Sequence, residues 1–159
     1  MSEKYHPNLS RPEMEKILAE EDTGVLCLSD GGNPYAVPVS YAWMNDRIIF
    51  HCATSGKKLD IMRKNPQVCF VVDRHPDRAK PHHPEGECTY RFESVLCFGT
   101  AKVLETPEER FDYLKEFKAF FDRRLGLPPE KNPVTEKAAK NCGCVVISIN
   151  RMTGRKKGN

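Results

Sequence analysis

The chain has 159 residues, with 25 Lys and Arg against 22 Asp and Glu, a formal net charge of +3 and a hydrophobic fraction of 39%. That length suits one domain, 1–159, with a real core, and so even a charge balance argues against a nucleic-acid binder that works by neutralising phosphates. The longest apolar runs, such as 144–149, are too short to span a bilayer, and residues 1–15 are polar with both signs of charge, so neither a membrane segment nor a secretory apolar core is expected.

Ser10-Arg-Pro-Glu13 opens an amphipathic helix: Ser10 caps it, Glu13 completes a capping box, and Met14, Ile17 and Leu18 share one face. Gly24 is expected to end it. Residues 25–28 read as a buried strand. Asp30-Gly-Gly-Asn33 is hairpin chemistry, because two glycines supply the positive φ that such turns need. The returning strand is 35–43, Met44-Asn-Asp46 is a second turn, and 47–52 is a third strand.

Thr54-Ser-Gly56 then breaks the strand pattern. Residues 57–65 read as a short helix with Leu59 and Met62 inward, ended by Pro66, and 67–73 as a fourth strand. A loop rich in Pro and His spans 74–89. Residues 90–104 form a long strand whose Gly99 marks a bulge or a close backbone approach. Thr106-Pro-Glu-Glu109 is the clearest helix start in the chain, with a cap, a proline at the first position and acids in the first turn. Phe111, Leu114, Phe117, Phe121 and Leu125 continue at helical spacing until Gly126. A linker at 128–133, a short helix at 135–141, a last strand at 143–150 and a basic, solvated tail at 151–159 complete the chain. The core is expected over about 10–155. Six strands joined mostly by hairpins, with flanking helices, give a mainly β member of the α+β class: a small antiparallel barrel.

Seven scattered cysteines, an odd number, sit mostly within apolar runs and do not frame a disulfide scaffold. A reducing, cytoplasmic setting is expected.

The stretch His51-Cys-Ala-Thr-Ser-Gly-Lys-Lys58 carries the most chemical information. Ser55 or Gly56 caps the helix that follows, which puts Lys57 and Lys58 in its first turn, where the helix dipole favours anions. An anion held by the free amides, with two ammonium groups over it, resolves the conflict. A phosphate monoester, close to −2 near neutral pH, suits that place. The alternative is two solvated lysines, tolerated at about 0.3–1 kcal/mol each; the residues alone leave both open. In Val37-Pro-Val-Ser-Tyr41, Pro38 cannot donate to a ladder, so it belongs on an edge or at a bulge. Neighbouring backbone groups are then free for a ligand, or the strand is an ordinary edge.

Taken together, Pro38-Val-Ser-Tyr41, Ile49-Phe-His-Cys52, Gly56-Lys-Lys58 and Asn65-Pro66 resemble the FMN-binding split-barrel family, the relatives of pyridoxamine 5′-phosphate oxidase. Tyr90-Arg-Phe-Glu-Ser-Val95, Gly99-Thr-Ala101, the helix start at Thr106 and Thr153-Gly-Arg155 are similar to its nitroimidazole-resistance branch, although related chains often carry lysine where Arg155 stands. The resemblance runs from about residue 10 to 155. It implies a six-stranded Greek-key split barrel and a homodimer with FMN at the subunit interface. Val37, Pro38, Val39, Ser40 and Tyr41 would lie along the ring and ribityl chain, largely through backbone atoms. His51 and Cys52 would flank the ring and phosphate, and Gly56, Lys57 and Lys58 would hold the phosphate. The partner would contribute Ser94, with Glu93 beside it.

His51 fits a flavin contact or, as a catalytic group, a proton donor near the substrate; a structural histidine is the alternative. Cys52 reads as packing rather than as a nucleophile. His75, His82, His83 and Cys88 are metal-ligand types, but three prolines and irregular gaps match no ligand spacing, so no metal site is assigned. The implied activity is an FMN-dependent oxidoreductase passing electrons from a reduced nicotinamide to a small acceptor such as a nitroaromatic. The chain has no GxGxxG to bind the nicotinamide itself. A flavin module without turnover, or a haem- or deazaflavin-binding sibling, are the other functions the barrel admits.

Overall fold

The computed structural model describes residues 8–75, 91–129 and 131–157. Its elements, in chain order, are α1 (Arg11–Glu20), β1 (Thr23–Asp30), β2 (Asn33–Ser40), β3 (Ala42–Met44), β4 (Arg47–Cys52), α2 (Lys57–Lys64), β5 (Gln67–Arg74), β6 (Phe92–Val103), α3 (Pro107–Leu125), α4 (Glu136–Asn141) and β7 (Gly143–Lys157). The strands form one antiparallel sheet in the order β2-β1-β5-β6-β7-β4-β3, which curls until β2 comes alongside β4. Along it, β5-β6-β7-β4 has the Greek-key order.

Local chemistry explains most of the boundaries. The Glu13 carboxylate accepts from the Ser10 amide at 2.7 Å to start α1. Gly31 and Gly32, both at positive φ, close the two-residue turn between paired Asp30 and Asn33. Asn45 and Asp46 do the same between Met44 and Arg47. The ladder between β6 and β7 slips between Phe98 and Gly99, as expected of a bulge glycine; a Cβ at Gly99 would lie 2.2 Å from the Ser148 carbonyl oxygen. Gly126, left-handed, ends α3.

Four expectations are corrected. Gly24 does not stop α1 but lies within β1, where a Cβ would meet the Phe70 ring at 2.3 Å. The strand expected over 35–43 divides at Tyr41, giving seven strands among the described residues instead of six. Tyr41 leaves the ladder because its amide donates to the Asp22 carbonyl and its buried hydroxyl to the Leu18 carbonyl, 2.9 Å away. Residues 151–157 are not a solvated tail: β7 continues to Lys157, paired with β6 back to Phe92. Arg151 covers the Phe98 ring at 4.0 Å, and Lys156 bonds Glu13 at 2.6 Å. Arg74 belongs to β5 rather than to the loop. As the spacing predicts, α3 runs to Leu125, which is 66% exposed.

The core has two compartments. Inside the curl, residues of α1 and α2 (Ile17, Leu18, Leu59, Met62) meet the inner face of the sheet (Leu26, Phe50, Phe70, Val95, Ile147). On the outer face of β3, β4 and β7, Leu114 and Phe117 of α3 and Ala139 of α4 pack on Ala42, Ile49, Cys144 and Val146. Arg110 joins the parts of this second layer. Its buried guanidinium donates to the carbonyls of Leu104 (2.9 Å), Glu105 (2.7 Å) and Ala139 (3.4 Å).

Candidate functional site

Three of the four helices among the described residues begin with a capping motif: the Ser10/Glu13 box at α1, Thr106 with Glu109 at α3, and Thr135 at α4. The fourth, α2, begins with Gly56, at φ 141°, and no side chain caps it. The Leu59 and Asp60 amides turn back to the Gly56 carbonyl, at 2.9 and 3.2 Å. The amides of Lys57 and Lys58 precede any intrahelical acceptor. Among the described residues nothing lies within 4 Å of where a Gly56 Cβ would stand. Both lysines are in the first turn, as the spacing indicated, and the only acid there is Asp60.

Packing fixes this corner. Leu59, Ile61 and Met62 anchor α2 in the barrel interior. On the strand side, Gly143 lets the start of β7 press against the turn after β4: a Cβ on it would lie 2.4 Å from the Ala53 carbonyl oxygen. The Lys57 ammonium sits 5.0 Å from the centre of the Tyr35 ring, which brings the start of α2 against β2. Tyr35, Val37 and Val39 alternate along the inner face of β2, while Pro38 and Ser40 are exposed. As the expected role of Pro38 requires, β2 is an edge strand, laddered to β1 alone, with Pro38 opposite Val25. Tyr41 stands apart: the residue is wholly buried, backbone included, with its hydroxyl and amide engaged.

His51 and Cys52 leave the end of β4 on opposite faces. Cys52 packs with the barrel interior, and burial raises its thiol pKa while nearby Lys58 opposes the rise. That environment favours the neutral thiol, in keeping with a packing role. His51 lies on the outer face, opposite Cys144, with its ring edge-on to Phe117 at 4.8 Å between centres. Burial pushes the Cys144 thiol up to about 12. Ser94 is half-buried on β6, between Asp73 and Arg155 in register, and β1 and β5 separate it from β2. The structure thus groups Lys57, Lys58, Gly56, Cys52 and β2 at one corner, with His51 behind them and Ser94 remote. Beside Ser94, Glu93 pairs with Arg74, which also reaches Glu20.

Tyr35, Gly143 and Arg110 escape a reading of the sequence. Only Tyr35 leaves a trace, sharing the alternation of Val37 and Val39. Of the proposed metal ligands, His82, His83 and Cys88 lie outside the described residues; His75 bonds Asp73 and the Arg91 carbonyl. Among the described residues no three His, Cys, Asp or Glu side chains come together to hold a metal, the six cysteines are unbridged, and no helix is long and apolar enough to cross a membrane.

Residues 10–156 match the family model described as pyridoxamine 5′-phosphate oxidase. The chain belongs to that family. A curated relative, an uncharacterized protein (RA0666) of Rhizobium meliloti, is 34% identical over 65 residues, 40% of this chain and 42% of the relative, so the match spans less than half of that protein. Among solved structures, a candidate 5-nitroimidazole antibiotic resistance protein of Bacteroides thetaiotaomicron superposes with a TM-score of 0.76 at 22% identity, covering 95% of this chain and 87% of its own. A FAD-binding protein of Mesorhizobium loti gives 0.71 at 23%, covering 96% and 99%. A FAD- and haem-binding protein of Mycobacterium smegmatis gives 0.78 at 19%, covering 94% and 72%. At these identities the superpositions establish a shared split-barrel fold. They agree with the mainly antiparallel architecture, with one strand more than the sequence suggested.

Proposed function

We propose that this member of the pyridoxamine 5′-phosphate oxidase family is a flavin-dependent oxidoreductase that holds FMN. The phosphate would be held by the Lys57 and Lys58 amides and ammonium groups, and Val37, Pro38, Val39, Ser40 and Tyr41 would lie along the ring. The observation that carries this reading is the uncapped start of α2, where amides without an intrahelical acceptor and two cations share one turn. A terminal phosphate, with its charge near −2, satisfies both and explains why acids are not placed there.

Bound at this corner, the flavin would take up two electrons from a reduced nicotinamide and release them to a small acceptor such as a nitroaromatic. The chain's own residues bind and orient. Edge strand β2 offers backbone groups on its unladdered side, Cys52 closes the barrel end, and His51 supplies a ring nitrogen beside the acceptor. Ser94 reaches a flavin only from a second copy, so the reading includes a homodimer. The side chains of Val25, Cys27, Cys69, Val71, Leu96 and Phe98, half-buried on neighbouring strands, support such an interface.

The test is the flavin content and oligomeric state of gently purified protein. A yellow dimer that yields FMN on denaturation, is bleached anaerobically by NADH or NADPH and recovers its colour with a nitroimidazole fits the reading. FAD as the extracted flavin would overturn the monoester assignment, since the FAD-binding neighbours accept a diphosphate. A colourless monomer that binds no added FMN would overturn all of it.

A further inference from the structure

The outer layer is incompletely filled. Between β4, α3 and α4 lies a cleft of about 280 Å³. His51 and Cys142 line it from the sheet, Phe117 and Phe121 from α3, Val134 from the linker and Ala138 from α4. Beside them stands an ion pair between Lys118 and Asp122, one helical turn apart, with side chains only 22% and 12% exposed.

Three properties of this cleft select a ligand. Its walls are aromatic: Phe117 stands 4.8 Å from both the His51 and the Phe121 ring centres, tilted to each, an arrangement that a further ring can extend. Its volume exceeds the ~150 Å³ of a dry apolar cavity that accommodates benzene, so a substituted ring fits. Its fixed charges cancel. A charged ligand would be desolvated here and find no free counter-charge, because the Lys118 ammonium and the Asp122 carboxylate already satisfy each other. An ion pair held so far from water is also expensive where apolar side chains would pack at no such cost. Beside an aromatic cleft it supplies a donor and an acceptor for the polar edge of a guest.

We propose that this cleft is a binding site for a small uncharged aromatic molecule, a single ring with one polar substituent, stacked on Phe117 and Phe121 with its polar edge toward His51 and the Lys118–Asp122 pair. The site goes beyond the flavin reading. It lies on the outer face of β4, opposite Cys52, shares only His51 with the flavin reading, and uses neither the lysines of α2 nor strand β2.

Titration of the full chain, as purified, with benzamide and with benzoate tests the idea, since the two share a ring and differ in charge. Calorimetry should show one benzamide per chain, bound at least about tenfold more tightly than benzoate. Ala138→Trp, at an exposed position of α4, should block the cleft and weaken benzamide at least about tenfold while flavin content stays that of the parent. Val134→Phe is the second blocking variant should the first not fold. Equal affinity for the two probes, no benzamide binding up to about 10 mM, or unchanged binding in a folded blocking variant would overturn the proposal. Flavin content, read separately in the same samples, tells a failure of this site from a failure of the flavin site.

Discussion

Replacing Lys57 and Lys58 together by Glu should move two quantities in opposite directions. In the flavin-free protein each lysine opposes the helix dipole at a cost of about 0.3–1 kcal/mol, and a glutamate in its place contributes a similar amount. Against this, Lys57 gives up its position 5.0 Å over the Tyr35 ring, worth about 0.5–1 kcal/mol at an exposed site. At mid-range of these values the stripped variant should therefore gain about 2 kcal/mol, a Tm increase of roughly 4–8 °C for a chain of this size. Flavin binding should collapse. Two charge-assisted hydrogen bonds to the phosphate, at about 1.5–3 kcal/mol each, amount to roughly 10²–10⁴ in Kd before any repulsion from the new carboxylates. Quenching of FMN fluorescence on titration gives the Kd, and thermal unfolding of stripped protein gives the Tm. A flavin Kd within about tenfold of the parent's would remove both lysines from the site. A Tm that fell along with the affinity would make them structural residues instead.

Two further outcomes test the framework that holds this corner. Gly99→Ala places a methyl 2.2 Å from the Ser148 carbonyl oxygen, and since backbone on both strands must yield, the urea midpoint should fall by the equivalent of about 1–3 kcal/mol; an unchanged midpoint would mean that the bulge relaxes freely. Glu13 accepts from Lys156, the Ser10 amide and the Ser10 hydroxyl, which hold its carboxyl down at about 2 against an ordinary 4.5. A depressed carboxyl stabilises the fold fully above its unfolded pKa and ceases to do so as pH falls through the folded value. Glu13→Gln should therefore flatten the loss of stability between pH 4.5 and 2, and an acid-unfolding profile that keeps the parent's slope would refute the assignment.

Elements set by local chemistry were legible in the sequence. The capping boxes at Ser10 and Thr106 and the turns at Gly31-Gly32 and Asn45-Asp46 each rest on residues within a few positions of one another. What escaped depends on distant contacts. Nothing in Val39-Ser-Tyr-Ala-Trp43 breaks a strand; the break comes from Leu18 and Asp22, which claim the hydroxyl and amide of Tyr41. Residues 151–157 read as a polar tail because a strand laddered to a long partner needs no apolar pattern of its own, and Arg151 covers Phe98 with its guanidinium. Gly24 reads as a helix stop because the Phe70 ring that requires it comes from a strand more than forty residues on. At the site the same division holds. The lysines stood out as a local conflict of sign, whereas Lys118 and Asp122 read as an ordinary surface pair four residues apart until the fold removes them from water.

The way α2 is held bears on why such a conflict can persist. In α3 and α4 a capping threonine accepts from one first-turn amide, and at α1 the Glu13 carboxylate accepts from the Ser10 amide. In α2 that task is left undone, and stability comes instead from Leu59, Ile61 and Met62 within the barrel and from Gly143 pressed against Ala53. A helix anchored by its apolar face tolerates an uncapped, positively charged first turn at a cost of about 1–2 kcal/mol. On the proposed reading an arriving phosphate would recover that cost, and the anchoring of α2 would limit what binding spends on ordering the site.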